Sequence, residues 1–333
     1  MVKDINSIID ETQKILVSEI STFIQKIEKD TIFPILSMAV NAKKVYDRAL
    51  MVRLGCESVG GNWIDTLPAM VASELRDFSV IVIDDILDES PRRGGDFTIQ
   101  TSWGIKKAII AASILKTMAT QALLTIKKGN LCLEKFREVI YIFEQIHREI
   151  YIGQYLDIEY ELLDFNQVTE KDYLEMIKYT TGIQISGCCR IGSIIGGGTN
   201  KDIEALGEYG LYTGIAFQIR DDLIDYIDSE KETWKTPFLD FTRGKKRLPL
   251  LLAMKNSSKT EKLFLQSLLK KKTLSKKEKE IITQIIIKKT NVESIKTTLE
   301  ELKNKAWSSI RSKKFNPSMK SLLKDVLELC TRV

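Results

Sequence analysis

The sequence FSVIVIDDILD occupies residues 78–88, and a second stretch of the same design, IAFQIRDDLID, occupies residues 215–225. In both stretches an apolar segment runs into three aspartates spaced Asp-Asp-x-x-Asp. Positions i and i+4 of an α-helix lie about 40° apart, so the outer aspartates of each triplet share one helix face. Carboxylates that crowd the negative end of a helix repel one another unless a cation compensates them. The repeat therefore predicts two helix ends that bind cations.

Helical periodicity extends from these two stretches over almost the whole chain. Apolar residues recur three and four positions apart in long segments, among them residues 5–27, 133–163 and 171–195. Breaks fall at Gly and Pro clusters, and no long stretch alternates with period two. With only 18 Gly and 6 Pro in 333 residues, the sequence predicts an all-α protein that folds as a single domain over residues 1–333.

Composition excludes several classes of protein. The single histidine, His147, rules out a His-rich metal site, and the five cysteines lack a paired CxxC framework, so reduced thiols are expected. No run of 18 or more apolar residues occurs, and residues 1–5 contain no apolar signal region. These features predict a cytoplasmic protein.

The positive charge is concentrated near the carboxyl end. The net charge is +5, and residues 251–333 carry 20 Lys and Arg against 8 Asp and Glu. These basic residues interleave with apolar residues at helical spacing, which indicates amphipathic helices with a solvated basic face. No nucleic-acid-reading motif accompanies them, so no nucleic-acid partner is expected. Contact of these helices with a membrane surface has no support beyond the charge itself.

The aspartate triplets favour magnesium. Oxygen ligands without Cys or His select hard cations, and protein-bound Mg²⁺ commonly shares its coordination with phosphate groups. Cations follow each triplet: Arg92-Arg93 follow the first, and Lys235 and Gly244-Lys245-Lys246-Arg247 follow the second. Arg binds phosphate through two parallel hydrogen bonds, and Lys binds it as a point charge. Two acidic helix ends with nearby cations predict a cradle for a diphosphate.

These motifs resemble those of the all-trans prenyl diphosphate synthases, the farnesyl and geranylgeranyl diphosphate synthase class of polyprenyl synthetases. The resemblance covers most of residues 65–250. Besides the two aspartate motifs it includes Gly153-Gln154-x-x-Asp157, Phe217-Gln218, Lys235, Asp240 and Gly244-Lys245-x-x-Leu248-Pro249. It implies an isoprenoid synthase type bundle of helices around a central cavity, and a homodimer.

The resemblance also implies roles for individual residues. Three Mg²⁺ ions would be bound through Asp84, Asp88 and Asp221, with Asp85, Asp222 and Asp225 in support. The diphosphate leaving the allylic substrate would be stabilised by Arg92, Lys235 and Lys245, and the carbocation would be lined by Gln154, Asp157, Thr181 and Gln218. Arg93 would contact the second substrate, isopentenyl diphosphate. Ser79 and Val80 stand where bulky aromatics close the pocket early in this family, which implies a product of C20 or longer; Phe78 could still narrow it.

The sequence departs from the family pattern at the isopentenyl diphosphate site. Asp30 and Phe33 stand where the family has a lysine and an arginine, and Asp77 stands in place of a histidine. On the allylic side, the family's Lys-Thr pair appears as Thr180-Thr181. Lys178 is two residues earlier, about 200° around a regular helix, and is a poor replacement.

Two enzymatic functions follow from this comparison. The resemblance favours a prenyltransferase that ionises an allylic diphosphate and condenses it with isopentenyl diphosphate. The alternative is a class I terpene cyclase or synthase that ionises one allylic diphosphate and closes it to a ring or quenches it with water, which the degraded isopentenyl diphosphate site favours. A non-enzymatic regulatory subunit ranks last, because both aspartate motifs are intact.

Overall fold

The computed structural model of the chain describes residues 4–26, 31–41, 46–127, 131–227, 238–269, 271 and 273–332. Its α-helices are, in chain order, α1 (Ile5–Gln25), α2 (Phe33–Asn41), α3 (Asp47–Ser58), α4 (Leu67–Leu87), α5 (Ile99–Trp103), α6 (Ile105–Leu123), α7 (Leu133–Leu162), α8 (Glu170–Ile177), α9 (Ile183–Ile195), α10 (Asn200–Ile227), α11 (Leu239–Arg243), α12 (Leu248–Asn256), α13 (Lys259–Leu268), α14 (Lys276–Thr290), α15 (Val292–Ile310) and α16 (Pro317–Thr331). A 3-10 turn spans Trp63–Thr66, and a π-helical turn spans Lys178–Gly182. Strands β1 (Arg92–Arg93) and β2 (Asp96–Phe97) form a short antiparallel hairpin. The all-α prediction is confirmed.

Helices α4 and α7 carry many of the candidate site residues. Pro68 lies in the first turn of α4, where its missing N–H is not needed for the helix hydrogen bonds. The closest packing of α4 is with α6, and that of α7 is with α9. Along α7, Phe143, His147 and Gln154 recur at i, i+4 and i+11, which places them on one face.

Helices α3 and α9 approach each other closely because glycines lie at their contact. A Cβ added to Gly192 of α9 would lie 1.9 Å from the carbonyl oxygen of Val52 in α3. A Cβ added to Gly55 of α3 would lie 2.4 Å from the carbonyl oxygen of Cys189 in α9. Any larger residue at either position would therefore force the two backbones apart.

The basic helices of residues 251–333 pack onto the rest of the bundle. Ile295 and Leu299 of α15 share a buried cluster with Ile219 and Leu223 of α10. This packing supports the proposal that residues 251–333 belong to one domain with the preceding helices. None of the described helices is both long enough and apolar enough to span a membrane.

Helix α16 runs alongside α10 towards the second aspartate triplet. The Tyr209 hydroxyl of α10 donates a hydrogen bond to the Leu323 carbonyl oxygen of α16 at 2.7 Å. Further along, Arg220 Nε donates to the Arg332 carbonyl oxygen at 2.8 Å. The end of α16 is thus attached to the residue that precedes Asp221.

Candidate active site

The first aspartate triplet lies at the carboxyl end of α4, where hydrogen bonds reach it from two directions. Arg93 of strand β1 donates from Nε to Asp85 Oδ1 at 2.8 Å and from Nη2 to Asp84 Oδ2 at 3.0 Å. Gln154 of α7 donates from Nε2 to Asp84 Oδ1 at 3.0 Å. The hairpin that follows α4 therefore places the Arg93 guanidinium beside the carboxylates, and α7 places the Gln154 amide there.

Lys245 connects this triplet to α7. Its ammonium nitrogen lies 2.5 Å from Asp88 Oδ1 and 2.9 Å from Asp157 Oδ2, and only 2% of the side chain is exposed. Arg247 pairs with Asp157 at 2.8 Å and with Asp240 at 2.9 Å. Buried charges are tolerated where they are paired and hydrogen-bonded. These residues therefore form a continuous buried network of alternating acids and bases.

The pKa values of the network reflect this pairing. Burial alone would raise the pKa of Asp157, but Arg247 and Lys245 hold it below its ordinary value. Burial alone would lower the pKa of Lys245, but Asp157 outweighs that effect and raises it. At neutral pH the carboxylate and the ammonium are therefore both ionised.

The second triplet lies near the carboxyl end of α10, and Asp222 is its buried member. Asp222 accepts hydrogen bonds from the Tyr173 hydroxyl and from Gln218 Nε2, both at 2.7 Å. Gln218 Oε1 in turn accepts a hydrogen bond from the Thr181 hydroxyl at 2.7 Å. Burial raises the pKa of Asp222 to about 6. The other two members, Asp221 and Asp225, are half-buried.

The buried network brings the two triplets to one place. Asp88 of the first triplet contacts Lys245, and Lys245 shares Asp157 with Arg247. Arg247 in turn lies close enough to Asp222 of the second triplet to lower its pKa against the effect of burial. The two acidic helix ends therefore face a common set of cations.

The carboxylates of the two triplets have the chemistry that a hard divalent cation requires. Their donor atoms are all oxygen, and Mg²⁺ takes such ligands while keeping positions for water and phosphate. The Asp84 side chain remains 20% exposed, and Asp221 and Asp225 are half-buried, so solvent reaches both triplets. Asp88 is held by Lys245 in this structure, so metal binding at Asp88 requires the lysine to share or release it. The residues fit magnesium.

A separate carboxylate cluster, which the sequence interpretation missed, lies between α3 and α4. Oxygen atoms of Asp47, Glu74 and Asp77 lie within 4.8 Å of one another, close enough to hold a metal ion. Arg48 lies among them and forms ion pairs with Asp47 and, at 3.2 Å, with Asp77. Gln184 of α9 donates a hydrogen bond to Asp77 at 2.8 Å. The contacts join distant parts of the sequence, so no local spacing could reveal the cluster.

The residues at the predicted isopentenyl diphosphate site differ in their surroundings. Asp77 is buried and paired with Arg48, which supplies a cation where the family histidine would stand. Phe33 is the first residue of α2 and is half-buried. Asp30 lies outside the described residues, as does Lys235, which was predicted to contact the leaving diphosphate.

The surroundings of Arg92 and Lys178 add detail to the sequence interpretation. Arg92 donates a hydrogen bond to the Gly95 carbonyl oxygen and lies 4.1 Å from the centre of the Phe97 ring, so its partners lie within its own hairpin. Thr181 belongs to a π-helical turn, so the angle of about 200° expected for Lys178 on a regular helix does not apply. Lys178 is exposed in any case.

In the part of α4 that precedes the first triplet, a side chain of α7 lies beside α4. Ser79 is buried and lies close enough to Tyr151 to act on its pKa, which burial raises. Phe78 points elsewhere, because its ring packs edge-to-face on Tyr46 with centroids 6.3 Å apart. The small residue at position 79 thus has an aromatic side chain of α7 as a neighbour.

Sequence reasoning missed Tyr173 as a part of the site, and it named Arg247 as a cation of the cradle without finding its carboxylate partners. Arg247 belongs to the basic run that follows Gly244, and its role became visible only through Asp157, 90 residues earlier. Tyr173 reaches Asp222 across 49 residues of sequence. Neither pairing has a short-range signal.

Comparison with known proteins identifies relatives by sequence. A profile of the family described as "Polyprenyl synthetase" matches residues 36–286. The geranylgeranyl diphosphate synthase of Methanosarcina mazei is 32% identical over 214 residues, which cover 64% of this chain and 64% of the relative. The geranylgeranyl diphosphate synthase of Saccharolobus solfataricus is 34% identical over 223 residues, which cover 67% of this chain and 66% of the relative. The alignments thus span about two thirds of the length of these two curated relatives.

Comparison of folds extends the similarity to nearly the full chain. The crystal structure of geranylgeranyl pyrophosphate synthetase from Pyrococcus horikoshii superposes with a TM-score of 0.87 at 26% identity. The superposition covers 99% of this chain and 98% of that one. The parts of the chain outside the sequence alignments therefore share the fold.

Proposed function

The chain belongs to the polyprenyl synthetase family, and from this membership we propose that it is a Mg²⁺-dependent prenyltransferase. It condenses an allylic prenyl diphosphate with isopentenyl diphosphate and releases an all-trans prenyl diphosphate of C20 or longer. The observation that carries the proposal is the buried network Asp88–Lys245–Asp157–Arg247, which joins the surroundings of two acidic helix ends. The relatives reported above are named as synthases that elongate, so elongation is favoured over cyclisation.

The first step of the proposed reaction is loss of diphosphate from the allylic substrate. Bound Mg²⁺ would supply Lewis-acid stabilisation of the departing diphosphate. Asp84, Asp88 and Asp221 are the proposed ligands of three such ions, with Asp85, Asp222 and Asp225 in support. Lys245 adds a positive charge that is already buried, so little reorganisation is needed when charge develops on the leaving group.

Polar side chains near the triplets would line the carbon that becomes positive. Thr181 and Gln218 form one hydrogen-bonded pair, and Gln154 forms another with Asp84. Oxygen atoms of these groups can orient towards positive charge without donating a proton. Asp157 holds Lys245 and Arg247 in place, which makes it a positioning residue. Arg92 and Lys235 remain proposed diphosphate contacts.

Of the cations that the family pattern provides for the second substrate, Arg93 remains here, and further cations must replace the others. Arg93 lies at the first triplet, and Arg48 lies beside Asp77. We therefore assign the isopentenyl diphosphate to the neighbourhood of these two arginines. The carboxylates that now hold them would exchange partners with the incoming phosphate groups.

We also propose that the enzyme is a homodimer. Besides the face that carries site residues, helix α7 has an exposed aromatic face with Tyr141 and Tyr155. The neighbouring α6 exposes Ile109 and Ile110. Large exposed apolar patches mark contact surfaces in soluble proteins. A second copy with the same patch would bury it by twofold symmetry.

The test of the function is an incubation of purified protein with Mg²⁺ and an allylic diphosphate, with and without labelled isopentenyl diphosphate. Label in a longer prenyl diphosphate is the expected result. A hydrocarbon or alcohol formed from the allylic substrate alone, with no labelled product, would contradict elongation. The same incubation with EDTA should give no product, since the leaving group would lose its metal ions.

A further inference from the structure

Arg76 of α4 is a fully buried arginine without an acid partner in the described part of the chain. Its exposed fraction is 0%, and its Nε and Nη1 atoms have no hydrogen-bond acceptor there. Nη2 makes only a long contact of 3.9 Å with the Cys188 sulfur of α9. Because a guanidinium stays protonated in proteins, Arg76 brings a full positive charge into the interior. Such a charge is costly to bury unless an opposite charge accompanies it.

Arg53 shows how a buried arginine is compensated elsewhere in the same molecule. Only 1% of its side chain is exposed, and its guanidinium lies over the Trp63 ring. It pairs with Glu11 at 2.6 Å and with Glu57 at 3.1 Å. The comparison indicates that negative charge is missing at Arg76 among the residues that the structure describes.

The titratable side chains near Arg76 do not supply this negative charge. Burial raises the pKa of the Cys188 thiol, so the thiol is uncharged at neutral pH. Glu144 of α7 is already held by Lys116 of α6, whose ammonium nitrogen lies 2.9 Å from each carboxylate oxygen. His147 is neutral, because burial lowers its pKa to about 4. This group of side chains therefore carries one uncompensated positive charge.

A second polar group near Arg76 also lacks a partner. The Nδ1 atom of His147 is shielded from solvent and has no hydrogen-bond partner within the described ranges. The guanidinium is close enough to lower the pKa of this histidine, and it lies 4.8 Å from the centre of the Phe143 ring. Phe143 and His147 are four residues apart on α7 and share one face. Because a neutral imidazole can donate one N–H, donors of both residues can serve a single acceptor.

The surroundings of Arg76 favour a small anion with a single charge. Arg76, Phe143 and Cys188 each have an exposed fraction of 0%, so the space among them is closed to an organic anion of substrate size. One uncompensated positive charge is neutralised by one negative charge, whereas phosphate would bring nearly two. A halide ion meets both conditions, and it accepts hydrogen bonds from several donors at once.

We propose that Arg76 binds one monovalent anion of halide size, such as chloride, inside the helical bundle, with His147 as a second donor. The site is separate from the aspartate triplets, because Arg76 precedes Asp84 by eight residues, or about 12 Å along the axis of α4. The ion stabilises the folded chain by compensating the guanidinium, since the unfolded chain has no such site. The inference concerns folding and ion binding, so it does not depend on the reaction that the enzyme catalyses.

The melting temperature tests the site in solution. The wild type should melt ~2 °C or more higher in about 0.2 M chloride than in the same concentration of gluconate, because the ion binds only the folded chain. Arg76→Leu has no charge to compensate, so its melting temperature should not respond to chloride in this way. Arg148→Leu is the matched control, since it removes a solvent-exposed arginine of α7, and it should respond as the wild type does. Equal responses of the wild type and Arg76→Leu would overturn the inference.

Crystals of the wild type grown in bromide give the position of the ion without relying on a variant that folds. Bromide scatters X-rays anomalously, and we expect an anomalous peak within hydrogen-bond distance of the Arg76 guanidinium. Peaks confined to the protein surface would mean that the bound ions are adventitious only, and they would overturn the inference. Equilibrium dialysis against radioactive chloride adds the stoichiometry, because the wild type should bind one more ion per chain than Arg76→Leu.

Discussion

Asp157 holds two cations that a diphosphate would otherwise bind. Lys245 and Arg247 both contact it, and Lys245 also contacts Asp88. Before substrate binds, the carboxylates thus act as internal substitutes for phosphate oxygens. In the proposed reaction, binding of substrate and metal would be an exchange of ionic partners, so that no charge is buried alone.

Removal of one carboxylate from either triplet tests the metal assignment at the level of single residues. Asp84→Ala and Asp221→Ala should each lower kcat at least ~100-fold, because a preorganised electrostatic contact to the leaving group is lost. Asp164→Ala removes an exposed aspartate outside the site and serves as the control. Near-normal turnover in both triplet variants would contradict the assignment. Steady-state kinetics at saturating Mg²⁺ provides the measurement.

His147 provides a direct test of burial, because it is the only histidine in the chain. Burial lowers its pKa to about 4, and Lys116 and Arg76 act in the same direction. In the unfolded chain the pKa of His147 is near 6.5. Between pH 6.5 and pH 4 the unfolded chain therefore binds a proton at His147 that the folded chain does not bind. Stability contributed by neutral His147 is complete above pH 6.5 and is lost as the pH falls towards 4.

The expected loss is about 1–2 kcal/mol between pH 7 and pH 5, with allowance for partial exposure of the ring. Urea unfolding at the two pH values measures it, and His147→Gln should show a smaller difference. An imidazole NMR titration of the wild type gives the pKa directly. A midpoint near 6.5 would show that the ring is solvated.

Single residues also show where sequence reasoning succeeds and where it ends. The aspartates and Lys245 can be recognised from motifs of a few neighbouring residues, and in the structure Lys245 contacts Asp88. Arg48 has no such signal, since its partner Gln184 lies 136 residues away. Arg76 reads as a polar residue in a helical pattern, and only the packing reveals that it is buried. Pairings set by the tertiary fold cannot be read from a single sequence.

At the scale of elements, the close approach of α3 and α9 depends on glycine. Gly192→Ala should destabilise the protein by about 3 kcal/mol or more, because the new Cβ would overlap the Val52 carbonyl oxygen in the backbone of α3. Gly207→Ala is the matched control within a helix. Its Cβ would meet the flexible Arg190 side chain at 2.9 Å and the Ser186 hydroxyl at an ordinary 3.5 Å, and alanine favours the helix. Thermal unfolding of both variants measures the difference, and equal melting temperatures would contradict this account.

The π-helical turn Lys178–Gly182 shows the limit of periodicity as a guide to elements. The sequence predicts one regular helix over residues 171–195, and the structure divides it into α8, the turn and α9. The inserted turn brings the Thr181 hydroxyl to Gln218. Such single-turn irregularities often occur at functional sites, and an apolar pattern does not reveal them because the flanking helices keep their own periods.

At the scale of the whole molecule, the all-α fold follows from composition and periodicity, whereas assembly does not. The proposed dimer predicts a solution mass of twice 38.0 kDa for the wild type. Ile109→Glu combined with Tyr155→Glu should give the monomer mass, since charges would be buried in the contact. Leu263→Glu changes an exposed apolar residue of α13 and should leave the mass unaltered. Light scattering coupled to size exclusion provides the test, and a monomeric wild type would contradict the proposal.

The attachment of α16 to Arg220 has a practical consequence for work on this enzyme. Any peptide that continues beyond Arg332 starts within one hydrogen bond of the residue before Asp221. A polyhistidine purification tag placed there would bring metal-chelating imidazoles close to α10, the helix that carries the second aspartate triplet, and would compete for divalent ions. Ile5 lines the same pocket as Arg332, so a tag at the amino end would also start nearby, and recombinant protein for kinetic assays should have its tag cleaved.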